Sequence, residues 1–313
     1  GKLVEAIEAF NKALHLNPDF EAVHVQMLHL RAHVCDWDLI EQDQDIIQVL
    51  GTSSEWVEPF SALSLEDSPE RHRLRSELYA KSKHKQQPLS LHQKPTTKPG
   101  RLRIGYFSSD FKMHAVMFNL IGTLERHNPE LFEIYAYSFG AECNDEMRQR
   151  TVKAVDVFVD VKNMGDRDIA LRARQDKIDI AIDLSGYTQN GRTGIFAYRA
   201  APVQINYLGY PGTIGADFID YNIADQTMVP VENQRFFSEK LIYMPQFSPF
   251  DTSIPISEVT PSRAELGLPE EGFVFCAINN SYKLRPSDFD MWMRLLKRVE
   301  GSVLWLLEAN KWC

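Results

Sequence analysis

Hydrophobic and polar positions follow a helical period over the first 82 residues. Between residues 2 and 16 apolar side chains recur at every third or fourth position, and Asn17-Pro18 then ends the helix. The same spacing continues between residues 20 and 50 and again between 69 and 82. The pattern therefore predicts a helical region at the start of the chain.

From Arg101 onward the pattern changes to short apolar runs separated by amphipathic stretches. The stretches 116–126, 144–153 and 166–175 have helical spacing, and each lies between two apolar runs. Strands that alternate with helices of this length are typical of βαβ units. We therefore predict an α/β fold with a parallel, doubly wound sheet. Its predicted strands are 102–106, 132–136, 155–159, 178–182 and 203–207.

A second sheet is predicted near the end of the sequence. Its first strands are expected at 240–244 and 273–278, followed by a helix at 286–298 and a strand at 302–307. So few elements make too small a layer to be stable alone, because a sheet needs more strands to bury one face. We therefore expect this second domain to be incomplete and to continue downstream of Cys313.

A polar segment separates the helical region from the α/β region. Residues 83–100 contain three prolines and show no periodicity, which is typical of a solvated linker. The predicted organisation is a helical neck, a helical transition, a linker, an α/β domain and the start of a second α/β domain. These parts are residues 1–50, 51–82, 83–100, 101–238 and 239–313.

Composition narrows the range of partners and compartments. The chain has 313 residues, of which 44% are hydrophobic, and its formal net charge is −9. This charge, with no long basic run, argues against nucleic acid or an anionic membrane as the main partner. Its four cysteines lie far apart and form no CxxC pair, so neither a zinc site nor a disulfide framework is indicated. No apolar run reaches membrane-spanning length, and we expect a cytoplasmic protein.

The polar loop Asn279-Asn280-Ser281-Tyr282-Lys283 follows the predicted strand 273–278 and precedes a helix. In an open α/β sheet, ligands bind beyond the carboxyl ends of strands, where loop amides and a helix N-terminus hold phosphate. Lys283 is therefore the first candidate for a phosphate ligand.

A second polar loop follows the first predicted strand of the α/β region. It contains Asp110 and His114 just before a helix, where both side chains could face one ligand. A histidine at this position can donate a hydrogen bond to phosphate or, when neutral, accept a proton. The alternative is that Asp110 only caps the helix and His114 fills a polar crevice.

The Gly-rich loop 208–215 follows the strand 203–207 and contains Gly209, Gly212 and Gly215. It matches neither the GxGxxG fingerprint nor the P-loop, so it gives no support to a dehydrogenase or an NTPase. The alternative to a ligand loop is a tight turn without a ligand. Because Ser185 and Gly186 follow a third strand at the same edge, the three loops together indicate a ligand cleft.

Taken together, these segments resemble the O-linked N-acetylglucosamine transferase family of bacterial type, in which a tetratricopeptide array precedes a two-domain GT-B glycosyltransferase. The start of the chain is similar to the second helix of one tetratricopeptide repeat, although an ordinary helix remains an alternative. The segments that carry the resemblance are 103–115, 182–188, 199–215, 220–225, 279–283 and 302–307.

The resemblance implies a fold, a reaction and a set of site residues. The fold is GT-B, with Rossmann-like sheets. N-acetylglucosamine would pass from UDP-N-acetylglucosamine to Ser or Thr hydroxyls of proteins docked by tetratricopeptide helices, with inversion and without metal. Lys283 would contact the diphosphate to stabilise its developing charge, with Tyr282 and Asn280 close to the nucleotide. The implied sugar-pocket residues are Leu208, Gly209 and Pro211, and His114 and Asp110 would lie near the acceptor hydroxyl or the phosphates.

Departures from the family pattern leave alternatives open. Phe118 stands where animal members have a second histidine, and much of the donor site would lie downstream. We therefore expect the 313 residues to be nearly inactive alone. The alternatives are a tetratricopeptide-type protein-binding module with a degenerate catalytic domain and a related cytoplasmic N-glucosyltransferase.

Overall fold

The computed structural model describes residues 2–53, 55–90, 100–248, 251 and 253–311. The chain divides into two compact units. Unit 1 comprises the residues up to Asp67 and those from Pro255 onward, and unit 2 is Ser68–Ile254. Unit 1 is therefore assembled from the two ends of the sequence.

The elements follow the predicted order. The helices are α1 Leu3–Leu16, α2 Glu21–His33, α3 Trp37–Gln42, α4 Gln44–Val49, α5 Pro59–Ala62, α6 Pro69–Lys83, α7 Ala115–Arg126, α8 Glu146–Ala154, α9 Asp166–Gln175, α10 Gly194–Ala197 and α11 Pro286–Arg298. The strands are β1 Leu102–Ser108, β2 Phe132–Ser138, β3 Val157–Asp160, β4 Ile180–Asp183, β5 Val203–Asn206, β6 Tyr221–Ala224, β7 Lys240–Tyr243, β8 Val274–Ala277 and β9 Val303–Leu306. Short 3₁₀ helices span Val231–Phe236 and Ser281–Lys283.

Unit 2 is built on a parallel sheet. Within the described residues it has seven strands in the order β3-β2-β1-β4-β5-β6-β7. The order reverses between β1 and β4, as in doubly wound folds, which confirms the predicted fold class. The side chains of β1 and α7 meet in a continuous core, in which Ile104, Leu120 and Ile121 are almost fully buried.

One predicted strand lies in a different sheet from the one expected. Residues 240–244 were expected to open a second sheet, but β7 pairs in parallel with β6, from Tyr221 opposite Lys240 to Ala224 opposite Tyr243. That expectation is wrong, because β7 supplies the outer strand of the larger sheet. The smaller sheet contains β8 and β9, which lie at the predicted strands 273–278 and 302–307 and pair in parallel.

The segment after α6 lies against unit 2. His84 is partly buried, and the Leu89 N–H donates to the Tyr198 carbonyl at 3.1 Å. Residues 85, 87, 88 and 90 are exposed, and residues 91–99 of the expected linker lie outside the described residues. The predicted domain boundaries stay a prediction.

Unit 1 has its own helical core. It is formed where α2 packs with α4, α5 and the intervening loops, and it confirms that residues 20–50 are helical. The buried residues of this core are Val25, Leu28, Ile47, Leu50, Val57, Ala62 and Leu65.

Candidate active site

The loops that follow β1, β4 and β5 lie at one edge of the larger sheet. These strands are parallel neighbours, so their carboxyl ends point in the same direction. A Cβ atom added to Gly209 would lie only 2.1 Å from the Leu184 carbonyl oxygen, which shows how closely the loops after β4 and β5 approach. The predicted convergence of loops at this edge is therefore present within unit 2.

Asp110 and His114 occupy a tight turn between β1 and α7. The Asp110 carboxylate accepts a hydrogen bond from Ser109 Oγ at 3.0 Å, and its Oδ2 lies 3.9 Å from His114 Nδ1. Lys112 Nζ lies 3.3 Å from Asp110 Oδ1. Sequence reasoning did not single out Lys112, although a lysine two residues from a candidate carboxylate was a usable signal. The turn thus combines a carboxylate, an ammonium group and an imidazole.

His114, and not Asp110, is the N-cap of α7. Its Nδ1 accepts the Val116 N–H at 3.3 Å, so the expected alternative of an Asp110 cap is wrong. Because Nδ1 uses its lone pair in this bond, the neutral ring carries its proton on Nε2. His114 is therefore arranged to donate a hydrogen bond through Nε2, and its side chain is 42% exposed.

Leu208 opens the Gly-rich loop in a strained backbone conformation. Its φ is +76°, a region that residues other than glycine rarely adopt. Such strain persists only where surrounding contacts hold it, and it is frequent at functional sites. Leu208 and Gly209 are partly exposed and Pro211 is exposed. All three predicted sugar-pocket residues are therefore open to a ligand at the strand edge.

Three buried polar side chains hold the Gly-rich loop from below. Asn206 Nδ2 donates to the Tyr210 carbonyl at 3.2 Å, and Asn222 Nδ2 donates to the Gly212 carbonyl at 3.3 Å. Glu239 accepts two bonds at 2.6 Å, one from Thr213 Oγ1 and one from the Ile214 N–H. Sequence reasoning missed these residues. Asn206 directly precedes the loop, whereas Asn222 and Glu239 are brought to it by the folding of the sheet.

Burial and hydrogen bonding shift the pKa values of two buried carboxyl groups in opposite directions. Burial raises the pKa of Glu239, whereas its bonds from Thr213 and Ile214 lower it. Burial likewise raises the pKa of Asp183 at the end of β4, against bonds from the N–H groups of Gly186 and Ser185, both at 2.9 Å. Both carboxylates therefore serve to fix loop backbone.

The remaining predicted residues belong to unit 1. Lys283 ends the 3₁₀ helix after β8 and is exposed, with its Nζ 5.8 Å from the Tyr282 ring centroid. Asn280 is exposed, whereas Tyr282 is half-buried and contacts the rings of His29 and His33. The candidate site residues therefore form one group in unit 2 and another in unit 1.

The described residues contain neither a metal-binding cluster nor a membrane-spanning helix. Among these residues, no group of three or more His, Cys, Asp or Glu side chains is arranged to hold a metal ion. Nor does any helix in the described ranges combine the length and the apolar character needed to cross a membrane.

The chain is similar to a family of glycosyltransferases and to individual proteins named as glycosyltransferases. The profile described as Glycosyl transferase family 41 matches residues 77–250 and 250–311. A probable UDP-N-acetylglucosamine--peptide N-acetylglucosaminyltransferase SEC of Arabidopsis thaliana is 39% identical over 66% of this chain and 22% of its own length. The corresponding SPINDLY protein of the same plant is 32% identical over 68% of this chain and 23% of its own length.

A solved structure agrees with the architecture. An O-GlcNAc transferase mutant of Thermobaculum terrenum aligns with a TM-score of 0.71 and 23% identity, covering 98% of this chain and 52% of the other. This likeness concerns the fold, which is GT-B. The chain thus spans about a fifth of the length of the two plant relatives and about half of the solved chain.

Proposed function

The chain belongs to glycosyl transferase family 41, and from this premise we propose that it acts in the transfer of N-acetylglucosamine from UDP-N-acetylglucosamine to Ser or Thr hydroxyls of proteins. The names of its relatives support the donor and the peptide acceptor. We also propose, as finer points, that the transfer inverts the anomeric carbon without a metal and takes place in the cytoplasm. Tetratricopeptide-type helices would dock the acceptor protein.

The position of Lys283 is the observation that carries this proposal. It stands beyond the carboxyl end of β8 and just before α11, which begins at Pro286. When the acceptor oxygen bonds to the sugar and the bond to UDP breaks, negative charge develops on the diphosphate. An exposed ammonium group stabilises that charge more in the transition state than in the ground state. We assign this role to Lys283, with Asn280 and Tyr282 beside the nucleotide.

The loops of unit 2 supply the groups proposed for the sugar and the acceptor. Leu208, Gly209 and Pro211 are exposed or partly exposed on a loop fixed from below, which suits a pocket for a neutral sugar. His114 carries its proton on Nε2 and therefore stabilises an oxygen or phosphate as a donor. Asp110 keeps that turn in place through its contacts with Ser109 and Lys112.

Calorimetric titration of UDP, of UDP-N-acetylglucosamine and of UDP-glucose tests this function. It is run on this chain and on a version extended downstream, each with and without Lys283→Ala. A hydrogen bond to a charged group contributes about 1.5–3 kcal/mol, so the substitution should weaken binding roughly 10- to 100-fold. Lys297→Ala, at an exposed lysine of α11, is the matched control and should leave the Kd unchanged.

The outcomes separate the candidate functions. Binding that Lys283→Ala weakens and Lys297→Ala does not would support a diphosphate site at Lys283. If neither UDP nor its sugar binds in either version, the transferase proposal fails, and the protein-binding module becomes the better interpretation. Binding of UDP-glucose in preference to UDP-N-acetylglucosamine would favour the N-glucosyltransferase.

A further inference from the structure

The loop that carries Lys283 is hydrogen-bonded to the C-terminal end of helix α2. Ser281 Oγ and Asn310 Nδ2 both donate to the main-chain carbonyl of His33, each at 2.7 Å. His33 is the last residue of α2, where carbonyl groups have no partner within the helix. The two side chains therefore satisfy the helix end from positions 248 and 277 residues away in sequence, and Ser281 is only 1% exposed.

The next residue of the loop packs against the same helix. The Tyr282 ring centroid lies 4.7 Å from that of His33 and 5.0 Å from that of His29. The two histidines are one helical turn apart, and their own centroids are 4.9 Å apart. Ring contacts at these distances add to the stability gained by burying the surfaces. Tyr282 is therefore held against one face of α2.

Both imidazoles are suited to this packing because they are neutral. Burial, together with the neighbouring His33, lowers the pKa of His29 to about 4. Burial also lowers the pKa of His33. Uncharged rings can pack on Tyr282 without the cost of desolvating a cation. The pair thus behaves as part of an aromatic cluster, with His29 Nδ1 also 3.5 Å from Ser64 Oγ.

These contacts bear on Lys283, although none involves its ammonium group. The lysine side chain is long, flexible and exposed, so the direction in which it leaves the chain is set by its backbone. Both preceding residues are anchored to α2, and the Lys283 N–H closes the 3₁₀ turn by donating to the Asn280 carbonyl at 3.0 Å. The backbone of Lys283 is therefore placed by α2, a helix of the predicted neck.

We propose that His33, through its carbonyl and its ring, and His29, through its ring, are positioning residues for Lys283. The His33 carbonyl holds Ser281, and both rings hold Tyr282. Helix α2 is then part of the framework of the nucleotide site, in addition to any role in docking proteins. The proposal rests on the proposed function, because Lys283 must bind the diphosphate for its position to matter. A preorganised cation binds more tightly than one that must be ordered when the ligand arrives.

Hydrogen exchange without nucleotide tests the anchoring by itself. Ser281→Ala should speed amide exchange at Lys283 and Leu284, whose N–H groups close the 3₁₀ turn, and leave the β8–β9 amides unchanged. The exposed Ser257 provides the matched control, Ser257→Ala, which should alter neither. Unchanged exchange at Lys283 and Leu284 in the Ser281→Ala protein would overturn the proposal.

Nucleotide affinity and ring replacement test the link to Lys283. UDP is titrated into whichever version of the chain binds it, the 313 residues or the version extended downstream. The Kd should be roughly tenfold higher for Ser281→Ala and for His33→Ala. It should be nearly unchanged for His33→Phe, which keeps a ring against Tyr282. Faster exchange with an unchanged Kd would overturn the positioning role. A native protein that fails to bind UDP refutes the proposed function, while the exchange experiment still decides the anchoring. Thermal unfolding of each variant identifies any that do not fold.

Discussion

At the residue scale, the backbone of Leu208 predicts an unusual order of stability. Leu208→Ala and Leu208→Gly both remove the isopropyl group, but only glycine, which has no Cβ, relieves the φ of +76°. The left-handed conformation costs a non-glycine residue about 1–2 kcal/mol, so the glycine variant should be more stable than the alanine variant by about 1 kcal/mol. Urea unfolding of both proteins measures the difference. An alanine variant as stable as the glycine variant would contradict the assigned strain.

His29 predicts a dependence of stability on pH. Its pKa is about 4 in the folded protein and 6.5 when unperturbed, so between these values the unfolded state binds more protons. The contribution of His29 to the free energy of unfolding is therefore fully present above pH 6.5 and decreases as the pH falls toward 4. Each pKa unit corresponds to about 1.4 kcal/mol, which puts the loss at roughly 3 kcal/mol.

The measurement is the free energy of unfolding between pH 4 and 7 for the native protein and for His29→Phe. Phenylalanine keeps a buried ring but cannot take up a proton, so the variant should lose less stability over this range. His15→Phe is the control, because the imidazole it removes is an exposed one on α1. Parallel curves for native protein and His29→Phe would exclude the assigned cause.

From the sequence, candidate site residues could be located only where they directly follow a predicted strand. Lys283, Asp110 and His114 follow predicted strands, and parallel strands bring their carboxyl ends to one edge. The role of His114 as a cap and the contacts of Glu239 could not be predicted, because both depend on geometry set by tertiary packing. Whether the predicted residues bind a donor stays a prediction.

At the element scale, Glu239 predicts how firmly the Gly-rich loop is held. Glu239→Ala leaves Thr213 Oγ1 and the Ile214 N–H without their buried acceptor, and each unsatisfied group costs about 1–3 kcal/mol. We expect a loss of at least about 2 kcal/mol in the free energy of unfolding, measured by urea denaturation. Glu239→Gln should lose less, since its carbonyl can still accept one bond. Glu232→Ala, at an exposed carboxylate, should change little. An equal effect at both sites would show that the hydrogen bonds of Glu239 do not stabilise the loop.

The strands illustrate which elements a pattern reveals. The first five predicted strands are confirmed. They could be recognised because the parallel strands of a covered sheet are rich in apolar residues. β6 was not predicted, since Tyr221–Ala224 is short and includes Asn222, whose buried side chain bonds to the Gly212 carbonyl. β7 was recognised as a strand but assigned to the wrong sheet, because pairing with β6 is a tertiary property. Periodicity identifies an element, whereas its partners depend on the folded chain.

At the scale of the whole molecule, the division into units crosses the order of the sequence. The helical start and the segment from Pro255 onward share unit 1, although they stand far apart in the sequence. The contacts of His33 with Ser281 and Asn310 join these two segments. The local pattern of each segment contains no sign of the other.

This division predicts how fragments of the chain will fold. Unit 2 is continuous, and its sheet and core lie within Ser68–Ile254, so the fragment 68–254 should fold alone. The fragment 255–313 should not fold alone. Its described strands β8 and β9 form a two-stranded sheet, and none of the described residues of α11 is buried. Circular dichroism and thermal unfolding of each fragment provide the measurement.

Mixing fragments then tests whether unit 1 needs both of its segments. Adding residues 1–67 to 255–313 should produce a cooperative unfolding transition, since the end of α2 supplies the acceptor for Ser281 and Asn310 and the ring surface for Tyr282. His33→Ala in the 1–67 fragment should weaken the association, whereas His15→Ala on α1 should not. A fragment 255–313 that folded fully without its partner would show that the loop 279–283 forms independently of α2, which would contradict the anchoring proposed for Lys283.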